Sequence, residues 1–113
     1  MNWFEIESEV DLDQLQKNSF DKPQIIFKHS TRCSISAMAK GRLDSAPDSD
    51  ALAFHYLDLI QYRALSNEIA DRFHIAHQSP QALLIKNGEC VLELSHWDIR
   101  YDELLSESLN SAH

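Results

Sequence analysis

At 113 residues, 43% of them hydrophobic, the chain has the size of one domain able to bury a core without disulfide staples. Ten basic against eighteen acidic side chains leave a net charge of -8, which repels phosphate backbones and anionic headgroups and argues against nucleic acid and membrane as partners. No apolar run approaches a membrane span, and Met1-Asn2-Trp3-Phe4-Glu5 lacks the features of a signal peptide, so a cytoplasmic protein is expected.

Phe4-Glu5-Ile6 reads as a short strand, and residues 11–18, with Leu12 and Leu15 apolar, as a short amphipathic helix. After Pro23, Gln24-Ile25-Ile26-Phe27-Lys28 is a continuous apolar, β-branched run, the pattern of a buried strand. From Cys33 to about Leu43, the apolar Ile35, Met38, Ala39 and Leu43 share one helical face, with Ser30 or Thr31 as candidate caps, and Pro47 lies beyond the end. Residues 51–59 form another strand, and Leu65, Ile69 and Phe73 recur every fourth residue through a helix over 63–73. Ala82-Leu83-Leu84-Ile85, the turn pair Asn87-Gly88, and Cys90-Val91-Leu92-Glu93-Leu94 make a hairpin. Tyr101, Leu104, Leu105 and Leu109 line a last helix, after which 110–113 are expected to fray.

A βαβ unit followed by a helix, a hairpin and a closing helix predicts an α/β fold of thioredoxin-like order. Its central mixed sheet carries helices on both faces, in a single domain over 1–113.

Two cysteines in a reducing compartment are more often free or redox-active than bridged. Cys33 stands where a buried strand gives way to a helix, so its sulfur meets unpaired N–H groups and the positive end of the helix dipole. Helix N-termini with nearby cations can bring a cysteine from ~8.5 to somewhere in ~3.5–7.5, and the thiolate is the nucleophile in disulfide exchange. From residue 28 to 42 the chain carries Lys28, Arg32, Lys40 and Arg42 and no acid, unusual in so acidic a protein. Ser30, Thr31, Arg32 and Ser34 are too polar for a core, which points to an exposed sulfur rather than an inert buried one.

Three residues on, where a dithiol oxidoreductase has its second cysteine, stands Ser36, so the motif Cys33-Ser34-Ile35-Ser36 is monothiol. Ser36 is one helical turn from Cys33 and a candidate hydrogen-bond partner of its thiolate. Cys90, just past the hairpin turn and roughly 20 Å from Pro80 along the strand, is expected to pack rather than resolve. The hairpin returns Ser95, His96 and Trp97 to the Pro80 end. His96 thereby becomes a candidate neighbour of the thiol or a loop residue, and Trp97 an apolar wall or a core cover.

Taken with Ser79-Pro80-Gln81 and Ser95-His96, the segment Lys28-His29-Ser30-Thr31-Arg32-Cys33-Ser34-Ile35-Ser36 resembles the monothiol bacilliredoxin family (YtxJ-type) over nearly the whole chain. The resemblance implies a thioredoxin-like fold and Cys33 as the thiol that accepts bacillithiol from S-bacillithiolated client proteins. It also implies Pro80 as a cis-proline beside that thiol, with Ser79 before it, and His96 at a position the family shares. No bound cofactor is expected, bacillithiol being a co-substrate whose negative charge suits Lys28, Arg32 and Lys40; Arg32, Ser34, Ser36, Ser79, Pro80 and His96 are the candidate thiol-binding residues.

Three rivals remain open at this point. They are a glutaredoxin-like iron–sulfur carrier, whose expected glycine and phenylalanine after the cysteine are absent, a thioredoxin-fold binding module without turnover, and a zinc site from His29, Cys33, His74 and His77.

Overall fold

The apolar, β-branched run after Pro23 lies at the centre of the molecule. In a computed structural model, which describes residues 1–110, strand β2 (Gln24–His29) is buried at all six positions. It is parallel to β3 (Ala53–Asp58) and antiparallel to β4 (Gln81–Lys86). β1 (Trp3–Glu5) extends the sheet beyond β3 in parallel, and β5 (Glu89–Ser95) closes the other edge, giving the order β1-β3-β2-β4-β5.

Alternation along β2 divides the core. Ile26 faces one apolar cluster with Leu12 and Leu15 of α1 (Glu9–Asn18) and Leu65, Ile69 and Phe73 of α3 (Arg63–Phe73). Ile25 and Phe27 face the other, with Ala39 and Leu43 of α2 (Ser34–Asp44) and Leu104 of α4 (Tyr101–Ser108). Helices therefore cover both faces of a mixed sheet.

The elements follow the order read from the sequence, with local differences. α1 starts two residues early because the Ser8 hydroxyl accepts from Asp11 N–H (3.2 Å) while the Asp11 carboxylate accepts from Glu7 N–H (2.9 Å), a capping arrangement. Strand β1 is shifted by one residue, although Ile6 N–H still bonds Tyr56 O (2.9 Å). Residues 51 and 52 precede β3 rather than belonging to it. The cap of α2 is neither Ser30 nor Thr31 but Cys33, in extended conformation. Its buried face is Ser36, Ala39 and Leu43, and Met38, expected inside, is 52% exposed. Of the terminal segment expected to fray, 111–113 lie outside the described residues.

Asn87 (φ 54°) and Gly88 (φ 80°) turn the β4–β5 hairpin through two left-handed residues, as a two-residue turn of this hand requires. A Cβ on Gly88 would also stand 2.8 Å from the ring of Phe20. Gly88→Ala is therefore expected to destabilise the fold by about 1–2 kcal/mol, read as a lower urea midpoint at unchanged slope.

Candidate active site

The strand registers define one end of the sheet. Lys28 pairs with Gln81, and Gln81 with Ser95. Carried one residue further, the same registers set His29, Pro80 and His96 abreast, and His96 N–H bonds Pro80 O (3.1 Å). The Ser79–Pro80 bond is cis, and Pro80 is buried. At this end the chain leaves β2, makes the turn Ser30–Cys33 closed by Cys33 N–H to Ser30 O (3.2 Å), and enters α2. Cys33 is thus the N-cap of α2, half-buried, and its carbonyl accepts the first helical bond from Ala37 N–H (3.0 Å). No acid stands in the first turn of α2, and among the described residues the thiol makes no hydrogen bond. The uncompensated N–H groups and the helix dipole are the local charge that the sulfur meets.

His96 opens a single 3-10 turn (His96–Asp98) with φ 54°, a left-handed conformation uncommon outside glycine. Its carbonyl accepts from the Arg42 guanidinium (3.2 Å), which also bonds Ile99 O (3.2 Å) and lies 5.6 Å from the Trp97 ring centroid. Arg42 thereby fastens the segment after β5 to α2. Trp97 is 57% exposed and does not cover the core.

The four bases around Cys33 separate by what each touches. Lys28 is fully buried on the α1/α3 side, where Nζ donates to Ser66 O (3.0 Å) and meets His77 Nδ1 at 3.2 Å; burial pulls its pKa down to about 8. It is therefore not placed to receive an anionic thiol, contrary to expectation. Lys40 pairs with Asp44 (2.9 Å) and lies near the faces of Trp3 and Tyr56, while Arg42 is bonded as above. Arg32 is exposed and, among the described residues, makes no ion pair or hydrogen bond. Ser34, also exposed, is the first residue of α2. Ser79 Oγ is buried without a hydrogen-bond partner among the described residues.

Ser36 departs from expectation. Its side chain is fully buried, and its hydroxyl accepts from Ser30 N–H (3.0 Å) and lies 2.6 Å from His29 Nδ1 rather than bonding the thiol. Burial, reinforced by Lys40, lowers the His29 pKa against the opposing pull of Asp58 and Asp44. In the sequence His29 entered within the cysteine segment and as a zinc candidate, with no role at the thiol. The signal for its pairing was the strand alternation, which puts residues 27 and 29 on the face that α2 covers. Among the described residues, no group of three or more His, Cys, Asp or Glu side chains is arranged to hold a metal. Two members of the zinc set have other partners: His29 engages Ser36, and His77 lies against Lys28.

Cys90 sits at a bulge in β5, packed against the α1/α3 cluster, with Sγ 3.4 Å from Leu92 O. Burial raises its pKa to about 11.

A family model described as monothiol bacilliredoxin BrxC matches residues 4–104. The chain belongs to the monothiol bacilliredoxin family. Among solved structures, one described as "a putative oxidoreductase with a thioredoxin fold" is 30% identical, with a TM-score of 0.82 over 96% of this chain and 94% of its own. The thioredoxin of Malassezia sympodialis (17% identity, TM-score 0.75, 95% and 90% covered) shares the fold. So does a point mutant of the thioredoxin of Halobacterium salinarum (16%, 0.73, 95% and 88%). Family and fold give the chain a thiol redox function. Among the described residues no helix is long and apolar enough to cross a membrane.

The buried thiol of Cys90 should show itself by its pH dependence. With a pKa of about 11, Cys90 is about one part in a thousand thiolate at pH 8, and its reactive fraction grows only as pH rises toward that value. Iodoacetamide at pH 8 is expected to add one carbamidomethyl group to the native wild type and none to Cys33→Ser, read by intact mass. Labelling of Cys90 should climb about tenfold per pH unit below 11 while the fold persists.

Proposed function

We propose that this protein removes bacillithiol from S-bacillithiolated client proteins in the cytoplasm by a monothiol exchange at Cys33. The observation that carries the reading is the disposition of the two cysteines. Cys33 caps α2 four residues past the end of β2, at the sheet end to which the registers also bring Pro80 and His96, whereas Cys90 is held on β5 as a packing residue whose thiol burial keeps protonated. The family membership supplies the thiol class.

The steps balance without a bound cofactor. The Cys33 thiolate attacks the bacillithiol sulfur of the client mixed disulfide, a Cys33–bacillithiol disulfide forms, and the client leaves as thiolate and takes a proton. A second bacillithiol thiolate attacks that adduct, releasing bacillithiol disulfide and regenerating Cys33. The client is reduced by two electrons and two bacillithiol molecules are joined. Ser36 cannot resolve the adduct, having no sulfur. In this reading Arg32, the base near Cys33 with no partner among the described residues, meets the carboxylates of the small thiol, and the Ser34 hydroxyl and the Ser79–Pro80 and His96 backbone line its approach.

Intact-mass analysis of wild type, Cys33→Ser and Cys90→Ser after exposure to proteins carrying bacillithiol or glutathione mixed disulfides tests this. The expected result is transfer onto Cys33, faster from the bacillithiol donor, with Cys90→Ser retaining most activity. No adduct from either donor would favour a binding module without turnover. Charge reversal by Arg32→Glu should slow transfer from the anionic donor by about 5–50-fold, a loss of roughly 1–2 kcal/mol, and leave alkylation by neutral iodoacetamide within about twofold.

A further inference from the structure

α2 turns three side chains fully inward: Ser36, Ala39 and Leu43. Two are apolar, as a core-facing stripe demands. The third is a hydroxyl, and a hydroxyl taken out of water costs stability unless it is bonded. Its two partners identify its task. Ser36 Oγ accepts from Ser30 N–H (3.0 Å), at the start of the turn that ends in Cys33, and contacts His29 Nδ1 (2.6 Å), the last residue of β2. The sheet does not need this pair to hold His29, because Leu59 N–H already bonds His29 O (3.0 Å) and the ring stacks on Phe27 and meets Tyr56. What the two bonds span is the loop itself: residues 30–33, with one end on β2, the other in the first turn of α2, and the thiol between them.

We propose that Ser36 and His29 are positioning residues for Cys33, their hydrogen bond and the one from Ser30 N–H pinning the turn so that the thiol stays at the mouth of α2. The inference rests on the reading of Cys33 as the attacking thiol. It assigns to the residue in place of a second cysteine a role of its own: Ser36 acts on Cys33 through the turn rather than by contact with the sulfur. The His29 tautomer does not alter this. Either Nδ1–H donates to Ser36 Oγ or the Ser36 hydroxyl donates to a bare Nδ1, and in both cases Oγ keeps a lone pair for Ser30 N–H.

The test uses the full chain carrying Cys90→Ser, with Ser36→Ala, His29→Leu and His29→Asn added singly. An asparagine amide reaches the place of Nδ1 and restores a hydrogen-bonding group without the ring. Two rates are read at pH 7.5: alkylation of Cys33 by iodoacetamide, which needs no particular thiol, and steady-state exchange. Ser36→Ala and His29→Leu are expected to lose about tenfold in both alkylation rate and kcat with KM within about twofold, and His29→Asn to recover to within about threefold of the parent. Wild-type rates in Ser36→Ala would overturn the proposal. So would a His29→Asn variant as slow as His29→Leu, since ring packing rather than the hydrogen bond would then be what matters. If circular dichroism shows Ser36→Ala unfolded, the comparison at position 29 decides. A parent that alkylates normally but transfers no small thiol would remove the proposed function, and the alkylation rates would still decide the positioning role.

Discussion

Burial of β2 on both faces constrains everything that surrounds the thiol. A strand with helices above and below and paired strands on each side can release its chain only at its end, and here the end is His29. The chain must then turn within a few residues and enter a helix that covers the sheet. The residue at that junction caps the helix, with unpaired N–H groups around it. A cysteine at that point acquires its electrostatic setting from the fold, without a dedicated general base. The antiparallel pairings of β2 with β4 and of β4 with β5 bring Pro80 and His96 to the same end of the sheet by register alone.

The bases between residues 28 and 42 show how a basic sequence segment divides in three dimensions. Lys28 enters the core and ties β2 to α3 and to His77; Lys40 closes onto Asp44; Arg42 anchors the turn after β5. Three of four cations are engaged within the protein, and Arg32 is left facing solvent. The basic surface left near Cys33 is therefore one guanidinium and the N-terminal end of α2, smaller than the sequence suggested.

The order and type of every strand and α-helix were legible from local signals: continuous apolar residues in β2, a four-residue repeat in α3, and Asn87-Gly88 between the two hairpin strands; the 3-10 turn His96–Asp98 carried no such signal. The location of Cys33 at a strand-to-helix junction followed from the same patterns, and the family resemblance matched the family found. What escaped the sequence were side-chain partners across the fold. Ser36 looked like a partner of the thiolate because the two are one turn apart, yet its hydroxyl turns inward to His29 and Ser30. Lys28 looked available because nothing local says which face of a doubly covered strand a long cation will cross. Met38 looked buried because its spacing of three from Ile35 fits a helical stripe, but α2 rotates to bury the smaller Ser36 beside Ala39 and Leu43 instead. Each of these depends on how helices sit against the sheet, which periodicity leaves open.

Whether a single cysteine does the chemistry is decided by the fate of its adduct. Wild-type protein carrying one small thiol on Cys33 would be freed of excess reagent and followed by intact mass, first alone and then with added free thiol. The account predicts an adduct that persists alone and is released only when a second small thiol arrives, with the protein returning to its fully reduced mass. Release without added thiol, with the protein left two hydrogens lighter by a Cys33–Cys90 disulfide, would contradict it.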